Sequence, residues 1–441
     1  MSSTLTAERP TRREHWGWYL YDFGNSAYAA VVLLAVYSAY FKGAVVGGAE
    51  GSRLWGIAVG VAMFVVALTS PILGALADFS GAKKRFLLFF TVLGVTFCAM
   101  LFFVQEGAWF IGMLFFILAE IGYRSAQVFY NALLPEIAEP DDMGRVSGNG
   151  WAIGSIGGII CLLIVLVPIV LTGSDPLVVR LSLVFTAVFF AVSTVPTFLW
   201  VRERAQPQPL PDGESYLSVA IERLGETFKA IRSYKEFVTF IIGFLICKNG
   251  ILIVLNFAAI LGAVLFGMEQ QELIIFMILV QVTSVIGAYL FGLMANRFGG
   301  MSALNTSVAL MILPVIWLYF TDSRLQFYVI GALAGFALTG VQSVSRTVAG
   351  MFSPPGKSGE FYGFFALTGR SSSFVGPTVF GLLVASLTNW YETAHRMMPL
   401  AAEEAGHRLA LFAIVAFLVV GLAVLLLVDE KKGRQAGGGL R

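Results

Sequence analysis

Twelve predominantly apolar stretches of 19 residues or more follow one another along the chain, at 17–41, 54–77, 86–104, 109–134, 146–171, 179–201, 237–266, 272–295, 301–320, 327–350, 360–387 and 409–428. About 20 apolar residues cross the hydrocarbon core of a bilayer as an α-helix. Hydrocarbon offers no partner to backbone N–H and C=O groups, so an open sheet is excluded, and the ten-residue alternation of a membrane barrel is absent. The pattern therefore predicts an all-α membrane protein with twelve transmembrane helices. An even number puts both termini on one face. The longest polar stretch, 202–236, separates two sets of six, giving a first half at 1–201, a linker at 202–236, a second half at 237–428 and a tail at 429–441. Within the linker, 216–234 has the pattern of a short amphipathic helix.

The two halves repeat. At an offset of 218, Gly74-Ala-Leu-Ala-Asp78-Phe-Ser-Gly81 lies over Gly292-Leu-Met-Ala-Asn296-Arg-Phe-Gly299, each after the second span of its half, and Gly122 lies over Gly340. At an offset of 215, Gly144, Gly148 and Gly154 lie over Gly359, Gly363 and Gly369. Matches at equivalent spans in order indicate duplication, the arrangement of many transporters that bind substrate between related halves.

Composition agrees: of 441 residues 57% are apolar and 13% charged, with a mean hydropathy of +0.81. Soluble proteins carry roughly 25% charged residues, so a soluble domain is excluded, as is a disordered chain. The net charge of +2 lacks the clustering that nucleic acid requires. Lys and Arg number 19 on the face holding the termini and 6 opposite, counting Arg180 at the outer edge of the sixth span, which by the positive-inside rule predicts cytoplasmic termini, with the plasma membrane as the expected location. The first fifteen residues are polar and the following apolar run lacks a small-residue cleavage pattern, so the first span is expected to be retained, with the mature protein beginning near Met1. Cys98, Cys161 and Cys247 lie in apolar runs and read as packing residues. His15, His395 and His407 fall in the N-tail and the last outer loop, with no metal-ligand spacing, nucleophile–base pair or P-loop. No enzyme, metal or cofactor is expected.

Gly74-x-x-x-Asp78-x-x-Gly81-x-Lys83-Lys84 resembles the signature loop of the major facilitator superfamily, departing from it at Phe79 and Ala82, where a basic residue is common. Tyr21-Asp22-Phe23-Gly24-Asn25-Ser26-Ala27-Tyr28, with Asn131-Ala-Leu-Leu-Pro135-Glu136-Ile137, resembles the branch containing the fungal autophagy-related vacuolar amino-acid effluxers and their bacterial relatives. The resemblance implies a 6+6 pseudo-symmetric bundle whose spans 1, 4, 7 and 10 line a cavity, with 3, 6, 9 and 12 toward lipid. It also implies that Asp78 lies near the start of span 11, and that Gly74, Asp78, Gly81, Lys83 and Lys84 form a gating motif.

Ionisable residues inside a span mark a wet pathway or a buried partner. Six are clear: Asp22, Glu120, Arg124, Lys248, Arg346 and Arg370. From a rise of about 1.5 Å per residue, Glu120, Lys248 and Arg370 share the midplane, while Asp22, Arg124 and Arg346 lie in the cytoplasmic third, where Asp22 and Arg124 could pair. Glu120, Arg124, Gln127 and Asn131 recur at i, i+4, i+7 and i+11, one helical face, which belongs on water or substrate, the alternative being an internal Glu120–Arg124 pair. Lys248, Asn249 and Asn256 extend the pattern to span 7, and Gln342, Ser345 and Arg346 to span 10. Asn249 could equally be interhelical glue. Trp16, Trp18, Tyr19 and Tyr21 read as an interfacial aromatic belt. Four cations against two carboxylates favour an anionic or zwitterionic solute. The expectation is a monomeric secondary transporter for an amino acid or peptide, coupled to H+ through Glu120 or Asp22. An organic-anion or sugar-phosphate carrier, and a non-transporting receptor or lipid scramblase, are the alternatives.

Overall fold

The computed structural model describes residues 10–208, 215–229, 233–268 and 270–438. Twelve long helices run through them. The first six are α1 (Arg12–Val46), α2 (Gly48–Ser80), α3 (Lys83–Met100), α4 (Trp109–Ala132), α5 (Met143–Leu171) and α6 (Pro176–Trp200). The second six are α7 (Lys235–Phe266), α8 (Gln270–Phe298), α9 (Gly300–Phe320), α10 (Arg324–Met351), α11 (Ser358–Ala394) and α12 (Pro399–Leu425). Eleven are apolar enough to cross a membrane on composition alone. The other, α11, has 37 residues, about 55 Å of helix, and carries the polar run Gly369-Arg370-Ser371-Ser372-Ser373.

Helix ends depart from the apolar runs because polar residues continue a helix beyond hydrocarbon. Pro399 starts α12 ten residues before its apolar run, a position where proline's missing N–H costs nothing. His407, expected in an outer loop, is therefore inside α12 and buried, its Nδ1 2.9 Å from the Glu403 carbonyl. His15 similarly belongs to α1, its ring bonded to the Ile137 carbonyl at 2.8 Å. The linker helix is described over Tyr216–Lys229; residues 230–232 of the expected 216–234 lie outside the described residues.

The duplication is visible in the packing. α1 packs on α5 and α6, α2 on α4, and α3 on α4 and α6; shifted by six helices, α7 packs on α11 and α12, α8 on α10, and α9 on α10 and α12. The halves meet chiefly through α2 against α11 and α5 against α8. Glycines permit that seam: a Cβ on Gly74 would lie 2.1 Å from the Gly359 carbonyl oxygen, and one on Gly144 3.0 Å from that of Gly292. The same relation recurs one turn on, where Gly148 meets the Ala288 carbonyl and Gly363 that of Ser70. These contacts obey the offsets of 218 and 215 found in the sequence.

Candidate gate and substrate pathway

At the face holding the termini, α2 ends at Gly81, whose φ of +57° is the left-handed turn that glycine adopts without strain. That turn leaves Asp78 pointing at the start of α11. Its Oδ2 accepts the Glu360 N–H at 2.9 Å, and its Oδ1 is 3.0 Å from Lys83 Nζ, which also reaches Glu136 at 2.6 Å. Helix N-terminal N–H groups carry partial positive charge, so a carboxylate there holds α2 to α11. In the second repeat, Asn296 Oδ1 accepts the Arg145 N–H of α5 at 2.7 Å. The 78–360 and 296–145 contacts are thus equivalent, one charged and one neutral. Lys84 instead caps the end of α6, donating to the carbonyls of Phe198, at 3.0 Å, and Val201. Phe79, a departure from the superfamily pattern, is buried and packs edge-on against Tyr216 of the linker helix.

Two further carboxylates, not anticipated from the sequence, secure this face. Glu203 accepts the backbone N–H groups of Lys83 and Lys84 at the start of α3. Burial raises its carboxyl above the ordinary range, against the pull of those bonds. Glu430 does the same for α9, accepting from Gly300 at 3.1 Å and Met301 at 2.8 Å.

Inward of the latch, Arg346 crosses the seam. Its Nη1 lies 3.3 Å from Asp22 Oδ2 and 3.4 Å from Asn131 Oδ1, while Nε donates to Ser147 Oγ at 3.0 Å and Nη2 to the Ser147 carbonyl at 2.7 Å. Its Cζ stands 4.7 Å from the Trp18 ring centroid, 5.8 Å from that of Tyr130 and 5.6 Å from that of Trp151. Trp18 is held by a 3.0 Å bond to the Tyr130 carbonyl and stacks on that ring. The expected aromatic belt is corrected accordingly. Trp18, Tyr19 and Tyr21 are buried because α5 and α6 cover both flanks of α1, and only Trp16 of the four is exposed.

The expected Asp22–Arg124 pair is also corrected, since each has another partner. Arg124 Nε donates to Glu120 Oε1 at 2.6 Å, one turn along α4, and its guanidinium lies 4.9 Å from the Tyr123 ring centroid. Depth along a helix places residues on a level but not on a face. Glu120 is fully buried, its second oxygen without a hydrogen bond among the described residues, whereas the Arg124 side chain is 21% exposed. The cation is therefore the accessible member of the pair and the carboxylate lies behind it. Gln127 and Asn131 continue the stripe down to Arg346.

On the second half, Lys248 is half-buried with Nζ 5.9 Å from the Phe244 ring, and Gln342 is half-buried. Asn249 Nδ2 bonds the Leu245 carbonyl and Asn256 Nδ2 the Leu252 carbonyl, each at 2.7 Å on its own helix, and among the described residues neither amide nitrogen bonds another helix. Asn249 is buried and Asn256 exposed. The Arg370 side chain lies outside the described residues. Ser147 and Trp151, which contact Arg346, were not singled out from the sequence; the available signal was a Ser and a Trp one turn apart in the glycine-rich start of α5.

Cross-half side-chain bonds, from Asp78, Asn296, Arg346 and from Ser358 to the Ala132 carbonyl, cluster toward the face holding the termini. The conformation is closed at that face.

Comparison with known proteins supplies the family. A family model described as vacuole effluxer Atg22 like matches residues 55–438. The chain is 29% identical over 434 residues to the uncharacterized MFS-type transporter YxiO of Bacillus subtilis (strain 168), covering 96% of each. It is 25% identical over 319 residues to autophagy-related protein 22 of Yarrowia lipolytica (strain CLIB 122 / E 150), covering 66% of this chain and 51% of that protein, so it spans about half the length of this fungal relative. The crystal structure of a bacterial homologue of the iron transporter ferroportin in an outward-facing state superposes with a TM-score of 0.70 at 14% identity, covering 94% of this chain and 99% of the other, a likeness of fold. The latch, the duplicated bundle and these matches together establish that the chain belongs to the Atg22-like vacuole effluxer family, within the major facilitator superfamily of transporters.

Proposed function

We propose that this transporter works by alternating access, carrying a small zwitterionic or anionic solute such as an amino acid or peptide between residues 1–201 and 237–428, driven by protons. The observation that carries the reading is the one-sided seam: the hydrogen bonds and ion pairs described between the halves lie toward one end, and the Glu120–Arg124 pair lies inward of them on α4. The closed face is cytoplasmic on the distribution of Lys and Arg, and the protein acts as a monomer in the plasma membrane. Arg124 reads a carboxylate, Lys248, Arg370 and the amides Gln127, Asn249, Asn256 and Gln342 complete recognition, and Glu120 takes up the coupling proton. A buried carboxyl that gains and loses a cationic partner exchanges protons between states.

Reconstitution into liposomes with labelled amino acids, peptides and organic anions tests this. Accumulation under an imposed pH gradient is expected, and Glu120→Gln should abolish it while leaving downhill exchange intact. Accumulation persisting in Glu120→Gln passes the coupling role to Asp22. Movement of organic anions alone would make the protein an anion carrier, and movement of lipid or of nothing would refute solute transport.

A further inference from the structure

Arg346 belongs to α10, yet the partners described for its guanidinium all belong to the first six helices: Trp18 and Asp22 on α1, Tyr130 and Asn131 on α4, Ser147 and Trp151 on α5. Together they form a cage with one carboxylate, three further oxygen acceptors and three ring faces. Carboxylates and carbonyls accept from a cation's N–H groups, and ring faces attract its charge. The paired bonds from Nε and Nη2 to Ser147 suit a planar guanidinium fork. Chemically, the first half has built a receptor for an organic cation, and a side chain of the second half occupies it.

The occupant and the cage lie on opposite sides of the seam that must part when this face opens. Arg346 then withdraws with α10, while the six cage residues stay in one half. A vacated cage leaves the Asp22 carboxylate and the Ser147 carbonyl without the donors they had, and a soluble cation supplies replacements. We propose that this cage is a binding site for the guanidinium or primary ammonium group of a solute, vacated by Arg346 when the termini-bearing face opens and refilled by it on closing. The inference rests on the alternating-access reading and adds which end of the substrate is read there. The cationic end meets Asp22, as the carboxylate meets Arg124 above. Because Arg346 and a free cation compete for one cage, occupancy by the free cation favours the open gate.

The test needs no transported solute. Purified Arg346→Ala protein is melted with methylguanidinium chloride or with sodium chloride at equal millimolar concentration. Methylguanidinium is expected to raise the melting temperature by several degrees over sodium, and Asp22→Asn in the same background to remove the gain. An equal response to both salts, or a gain that survives Asp22→Asn, overturns the proposal. Should Arg346→Ala not fold, the intact chain carrying Ser358→Cys reports instead, because Ser358 is buried at the seam with its Oγ 3.0 Å from the Ala132 carbonyl. Methylguanidinium should speed maleimide labelling of that cysteine several-fold over sodium, and an unchanged rate overturns the proposal. Liposomes that move no solute would refute the transporter reading while leaving both readouts standing.

Discussion

Asp78→Asn isolates the charge in the latch between α2 and α11. Asp78 is 2% exposed; its carboxylate accepts the Glu360 N–H at 2.9 Å and is ion-paired with Lys83 Nζ at 3.0 Å. Asparagine keeps an oxygen acceptor of nearly the same size but loses the charge. A hydrogen bond involving a charged group contributes about 1.5–3 kcal/mol and a neutral one about 0.5–1.5. Lys83 retains Glu136 at 2.6 Å, so no buried cation is stranded. The closed state therefore loses about 1–2 kcal/mol, a roughly five- to thirty-fold shift toward opening at this face. The assay is maleimide labelling of Ser343→Cys in a background where Cys98, Cys161 and Cys247 are alanine. Ser343 is fully buried, and its carbonyl accepts Ser147 Oγ across the seam at 2.8 Å. Labelling in Asp78→Asn should rise by that factor. A rate within twofold of the parent, with an unchanged melting temperature, refutes the latch; Asn296, which holds α5 without a charge, would then be the sufficient design for both repeats.

Arg346→Lys keeps the charge but loses the fork to Ser147 and the planar contact with Trp18, so labelling of Ser343→Cys should rise roughly tenfold; no rise would reduce the gate to simple charge. Gly74→Ala puts a Cβ 2.1 Å from the Gly359 carbonyl, an overpacking cost of about 1–3 kcal/mol that falls on the closed state, so the same reporter should label rapidly, and continued protection would show that the seam can yield. Glu430→Ala removes both acceptors at the start of α9 and should lower stability by about 0.5–2 kcal/mol in thermal melts, with an unshifted melt denying the cap. Arg124→Lys should weaken binding of a carboxylate solute by roughly tenfold in a thermal-shift titration while sparing its methyl ester, because lysine cannot form a bidentate pair; equal binding would assign Arg124 to holding Glu120 alone.

Hydrophobic length is a local property, and it sufficed for the helices, their number and the division into sixes, because a bilayer imposes one thickness on every span. Duplication was equally legible: the offsets of 218 and 215 return as paired contacts, Asp78 with Glu360 and Asn296 with Arg145. The spacing of Glu120 and Arg124 held one partner choice, since i and i+4 share a helical face whatever surrounds it. Partners on different helices were not legible. A rise of 1.5 Å per residue assigns depth, yet Asp22 meets Arg346, 324 positions away, because of the rotation of α1 and α10 about their own axes. For α1 that rotation goes with close glycine contacts from α5, where a Cβ on Gly150 would lie 2.4 Å from the Trp18 ring and one on Gly157 2.2 Å from the Phe23 carbonyl, and with its covering by α5 and α6, which also turned Trp18 from an expected interfacial anchor into the wall of a cation cage. Rotation and covering are properties of the packed bundle: each follows from how many helices compete for the same face, which no single span encodes.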